Sequence, residues 1–280
     1  MKRIGYNIKG FVAYLVFGVL LALAGCSSSG SSGNPGNAFN TGSGQDPMDL
    51  DLVTLYSTVT SITVHVAYEP DAEPFTGTFR DGGQYWSVLE TNMKAIFLGR
   101  IIEPDLSVPK DITGMEQILT QAQASWTTEQ VFDLAQGTWD TPQTSTSTEF
   151  YVLFLNGYFN DKGVVNKQVT GISINKTPVI AIFKDVIRKS GYSSFDDTVI
   201  EQTTLVHEFG HAAGLVNNGL PMVSDHEDTE HINHCTNEDC VMYWENDGTS
   251  LNFFIHKIIN SPSDVIFGPE CLNDAHSFMP

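Results

Sequence analysis

The chain has 280 residues, with 33 acidic side chains against 14 basic ones and a formal net charge of −19. Such a balance excludes a protein built to grip nucleic acid, which needs a basic surface. The acidity bears on solubility more than on substrate, and the length is enough for one well-buried domain with segments to spare.

At the start, Lys2, Arg3 and Lys9 precede the apolar run FVAYLVFGVLLALAG, Phe11 to Gly25. The run is shorter than the ~20 residues a bilayer crossing needs, so it predicts a cleaved secretory signal. Leu23 to Cys26, LAGC, resembles the lipobox of bacterial lipoproteins. The resemblance implies a lipid on Cys26 as the mature N-terminus, with the exported domain anchored to a membrane of the bacterial cell envelope. Removing three basic residues with the signal would take the net charge from −19 to −22. Ser27 to Pro47 is rich in Ser, Gly and Asn with almost nothing to bury, which predicts a flexible tether. The expected organisation is a signal at 1–25, a tether at 26–48 and one domain at 49–280.

Within the domain, Leu55–Tyr68, Glu149–Phe159 and Gly171–Phe183 are β-branched and aromatic or alternating, as half-buried strands are. Tyr85–Arg100 and Thr127–Trp139 carry helix formers with apolar residues at i, i+3 and i+4. Strands and helices interleave, which predicts an α+β fold, a mixed sheet with helices packed on it. The next helix is expected from about Thr198 to Ala213, opened by TVIE (Thr198–Glu201) in capping-box form and stopped by Gly214.

That helix carries HEFGH, His207 to His211. Imidazoles at i and i+4 on one helix face can reach one zinc ion, and Glu208 then lies beside a bound water as a general base. A catalytic zinc site needs a third protein ligand and one open position, and Asn217, where a third ligand is expected, offers only a neutral amide. His234, His231 and His226 are the candidates, with Asp228 or Asp225 behind them.

H-E-x-x-H-x-x-G followed by a later histidine and a methionine resembles the metzincin metalloproteases, and HCTNEDCVM, His234 to Met242, resembles the archaemetzincins within that clan. The resemblance covers about 40 residues. It implies a metzincin-like zincin fold with a twisted mixed sheet, an active-site helix, a methionine turn at Met242 and a C-terminal helix. It also implies His207, His211 and His234 as zinc ligands, Glu208 as the base, and a smaller lower part of the domain after Gly214. Two departures stand out. Asn217 to Asn233 is interposed before His234, and the family's second zinc, held by four cysteines with a late Cys-x-x-Cys, has only Cys271 at that end. A disulfide, most simply Cys235 to Cys240, is therefore expected in place of a structural zinc.

The function expected is a zinc-dependent metalloendopeptidase acting on protein or peptide, tethered through the lipid on Cys26. An extended substrate would pair with a sheet edge supplied by GISI or VIAIF, and Tyr243 is a candidate hydroxyl for the transition state. The alternative is a non-catalytic surface-binding lipoprotein that keeps the metal, against which Glu208 argues.

Overall fold

A computed structural model describes residues 48–79, 82–139, 143–189, 193–244 and 264–278, all within one unit, Gln45–Pro280. The signal segment, and the tether up to residue 47, lie outside the described residues. In chain order the elements are α1 (Leu52–Ser57), β1 (Ser61–Tyr68), α2 (Ser87–Phe97), β2 (Asp105–Ser107), a 3-10 turn (Ile112–Gly114), β3 (Glu116–Gln117), β4 (Ser125–Trp126) and α3 (Thr128–Thr138). They continue with β5 (Ser147–Leu155), β6 (Tyr158–Asp161), β7 (Val164–Asn166), β8 (Gly171–Ser173), β9 (Val179–Phe183), α4 (Lys184–Arg188), α5 (Ser194–Ala212) and α6 (Pro269–Ser277).

The main sheet runs in the order β2-β1-β5-β9-β8, with β3 also on β1. All its pairings are parallel except that of the edge strand β8, which is antiparallel to β9. Side chains alternate between faces along a strand, and here both faces are covered. Val64, Val66, Phe150, Val152, Phe154 and Ile182 share one core with α2 and α5 residues such as Met93 and Phe209. Their neighbours Ala67, Tyr151, Leu153, Ala181 and Phe183 share the other with Val131 and Ala135 of α3. The mixed sheet with helices on it is as expected. β4, β6 and β7 make a small second sheet.

Four expectations are corrected. Leu55 to Ser57 is helical, because Asp51 accepts from the Val53 N–H at 3.1 Å and from the Thr54 hydroxyl at 2.6 Å, nucleating α1. The strand predicted over Glu149–Phe159 breaks at Gly157 (φ +91°), where a Cβ would lie 2.8 Å from the Ala124 carbonyl oxygen. Gly171–Phe183 is two strands joined by a turn through Lys176 at φ +63°, so β9 is an interior strand, buried throughout, and only β8 offers an edge. Finally, α5 starts earlier than predicted. Its capping box is Ser193 with Asp196, and Glu201 of the expected box is buried against Lys184 instead.

Gly214, at φ +86°, does end the helix, and its N–H bonds the His211 carbonyl. Among the described residues no helix or strand follows until α6; isolated bridges, Glu227 to Cys235 and Cys235 to Tyr243, organise what lies between.

Candidate metal centre

Helix α5 sits against the β8–β9 edge of the sheet, with the Thr204 hydroxyl 3.1 Å from that of Thr170 at the entry to β8. Its interior-facing turn carries His207 and Glu208, both almost fully buried, and His211, which is half-buried. One helical turn separates the two imidazoles, and their Nε2 atoms lie 3.0 Å apart.

The third member comes from far along the chain. Donor nitrogens of His207, His211 and His234 all lie within 4.8 Å of one another, with the His234 ring centroid 5.2 Å from that of His207 and 5.1 Å from that of His211. The other candidates are held elsewhere. The His226 ring is buried against Asp274, with Nε2 2.7 Å from its Oδ2. The His231 ring is 3.0 Å from Asp228 and stacked on Trp244 at 4.0 Å between centroids. Asp228 receives the N–H groups of Glu230 and His231, Asp225 is exposed, and Asn217 donates its amide to Glu227 at 3.0 Å.

The hydrogen bonds decide which nitrogen each ring presents. A carbonyl oxygen only accepts, so the 2.7 Å contact from His207 Nδ1 to the Val241 carbonyl places the proton on Nδ1 and leaves the Nε2 lone pair facing inward. His234 repeats the arrangement, with Nδ1 3.1 Å from the Ile232 carbonyl. Its Nε2 is buried and has no hydrogen-bond partner among the described residues. Burial is the main force on protonation, holding His207 down at about 3, with the neighbouring His234 adding to it. His211 is held far below its usual value by burial and then by His207 and His234, and His234 is lowered chiefly by burial. Three neutral imidazoles with converging lone pairs, one of them an orphaned buried nitrogen, are a donor set that fits a borderline-soft divalent cation such as zinc.

Two neighbours complete the setting. Glu208 packs against the edge strand, where a Cβ on Gly171 would come within 3.0 Å of its Cγ. Met242 is fully buried under the helix, and a Cβ on Gly210 would meet its Sδ at 2.4 Å. The glycine within HEFGH is thus what lets the thioether approach, a signal that spacing alone did not reveal. A cleft of about 590 Å3 opens beside His211, lined also by Asn217, Asn218, Asn233, Lys176 and Leu52.

The cysteines depart from expectation. Cys235, Cys240 and Cys271 are all buried and no disulfide joins them. Cys240 Sγ lies 3.5 Å from that of Cys271, beyond bonding distance, and accepts the N–H of Gly268 at 3.0 Å and of Met242 at 3.4 Å.

No protein-family model matches the chain, and no curated protein does. Among solved structures, it is similar to one described as a zinc-dependent peptidase from Methanocorpusculum labreanum (strain Z), at 13% identity and a TM-score of 0.43, over 77% of this chain and 100% of that one.

Proposed function

We propose that this protein is a zinc-dependent metalloendopeptidase of metzincin type, similar to the archaemetzincins, with His207, His211 and His234 as the metal ligands and Glu208 as the general base. The observation that carries the proposal is the convergence of three neutral imidazoles, their Nδ1 protons committed at His207 and His234, beside one buried carboxylate. A zinc ion held by them supplies Lewis acidity, polarising a scissile carbonyl and bringing the pKa of water toward ~7.

This chain's own residues do the rest. Glu208 takes the proton of the attacking water and returns it to the departing amine nitrogen, the work of a carboxylate placed next to a ligand rather than on the metal. Because it packs on β8, the base lies beside the free edge of the sheet. An extended peptide adding to β8 as one more strand would bring its backbone past Glu208 and the three histidines. Met242, filling the space over Gly210, would form the floor of the site. The cleft next to His211 receives side chains of the substrate.

The proposal extends to location: a signal at 1–25, a lipid on Cys26, a tether to residue 48, and a domain standing off a bacterial envelope membrane. The test is degradation of unfolded casein by the purified full chain in detergent. Activity should be abolished by a chelator and restored by zinc. Degradation that persists after the metal is removed, or none with zinc fully bound, would overturn the peptidase reading.

A further inference from the structure

A second set of metal-binding side chains lies apart from the three histidines, and it is not the set that the cysteine pattern alone suggests. The donor atoms of His226, Cys235 and Cys271 fall within 4.8 Å of one another. Cys240 adjoins them, with its Sγ 3.5 Å from that of Cys271. All four side chains are buried. We propose that His226, carried in by the segment interposed before His234, completes a second, structural zinc centre with Cys235, Cys240 and Cys271.

Four features of the cluster support a metal over a disulfide or a packed thiol core. The first is spacing. Metal–sulfur bonds of ~2.3 Å and metal–nitrogen bonds of ~2.0 Å put tetrahedral edges at ~3.8 Å between sulfurs and ~3.5 Å between sulfur and nitrogen. Cys240 Sγ to Cys271 Sγ is 3.5 Å and Cys235 Sγ to His226 Nδ1 is 3.4 Å, whereas a disulfide needs ~2.05 Å. The second is the orientation of the imidazole. His226 Nε2 is 2.7 Å from Oδ2 of buried Asp274, whose Oδ1 accepts the Val223 N–H at 2.7 Å. A proton on Nε2 satisfies that carboxylate and leaves the Nδ1 lone pair aimed at the sulfurs, the carboxylate–histidine arrangement that steadies a metal ligand.

The third feature is the ring of amides. Gly268 and Met242 donate N–H groups to Cys240 Sγ, and Asn237 donates at 3.4 Å to Cys235 Sγ. Donors directed at sulfur suit thiolates. The fourth is enclosure. Three sulfurs and one imidazole converge in a space closed to solvent, where a bound cation would displace the thiol protons and balance the charge of the thiolates it leaves. Three thiolates and one imidazole, closed to solvent, are the donor set of a structural zinc site.

The position of the cluster explains its use. Cys235 follows His234 directly, and its N–H donates to the Met242 carbonyl at 2.7 Å; Cys240 stands two residues before Met242. Cys271 belongs to α6 and His226 to the interposed segment. One ion would therefore fasten three separate stretches of chain around the loop that presents His234, a loop that the described residues show to have almost no regular secondary structure.

The test uses the full chain in detergent, loaded with Co2+ in place of zinc. Wild type should bind two ions per chain and show the intense near-ultraviolet charge-transfer absorption of cobalt bound to thiolates. The His207→Ala/His211→Ala double variant should keep that absorption and one ion, so failure of the peptidase reading leaves this one standing. His226→Ala and Cys271→Ser should each lose the absorption, and His226→Cys, which preserves a four-donor set, should keep it. Absence of the thiolate absorption in the wild type, or a disulfide found among Cys235, Cys240 and Cys271 in the unreduced protein, overturns the proposal. So does an undiminished absorption in His226→Ala.

Discussion

The Sδ of Met242 occupies the space that a side chain at Gly210 would need, 2.4 Å from an ideal Cβ there. Ordinarily glycine in the middle of a helix costs about 1 kcal/mol relative to alanine. Here the sign should reverse. Gly210→Ala overfills the contact and is expected to destabilise by ~1–3 kcal/mol in urea unfolding. The Gly210→Ala/Met242→Ala double variant should cost less than the sum of the two single changes, since they share one contact. A stabilised Gly210→Ala variant would show that the thioether does not sit there.

Glu208 is buried beside β8 yet adjoins a proposed ligand and not the metal itself. Glu208→Gln should keep its zinc content close to that of the wild type while turnover falls at least ~100-fold, the scale of a lost general base. Elemental analysis and casein hydrolysis on the same sample check both halves. Turnover within a few fold of wild type removes Glu208 from the mechanism.

His234 and His231 stand three residues apart in sequence but face different partners, the helix histidines for one and Asp228 with Trp244 for the other. His234→Ala should lose catalytic zinc and activity together, leaving the metal of the cysteine cluster. His231→Ala should retain both metals. Full catalytic occupancy in His234→Ala would transfer the ligand role to another residue.

Helix α5 is anchored by a wholly buried ion pair, Lys184 to Glu201, whose other carboxylate oxygen accepts the Phe75 N–H at 2.7 Å. Burial pushes the Glu201 carboxyl up and the Lys184 ammonium down, and each partner opposes that shift in the other. Removing one partner strands the other charge, so Glu201→Gln should destabilise by ~3–5 kcal/mol. Lys184→Met/Glu201→Leu should recover much of that loss in the same urea titration. A negligible cost for the single change would mean that the pair is not charged in the folded protein.

The tether proposal makes its own demand on Cys26. Cys26→Ala should abolish labelling by radioactive palmitate and move the exported protein from the membrane fraction to the soluble one. Labelling that survives the substitution rules out the lipid at that residue.

Local spacing was enough to recognise the helix that bears His207, Glu208 and His211, because i and i+4 share a face whatever surrounds them, and Gly214 was legible as its stop for the same local reason. The strands β1, β5 and β9 were also visible as β-branched and aromatic runs, although covering both faces of the sheet makes β9 a continuous apolar stretch and not an alternating one. Start points and partners were not. Thr198 to Glu201 has the form of a capping box, but a buried Lys184 claimed Glu201, and Ser193 with Asp196 took over the cap. Three histidines competed for the place beside His207 and His211, and nothing in their spacing separated them, because a ligand closing from a long loop depends on where the chain returns and not on helical period. Their fates were settled by contacts distant in sequence: Asp274 drew His226 to the cysteines, Trp244 stacked on His231, and Ile232 turned the His234 ring to face the helix. The same distance effect hid the fourth member of the cysteine cluster, a histidine nine residues before Cys235 and 45 before Cys271, which only the folding of the interposed segment onto α6 brings into reach.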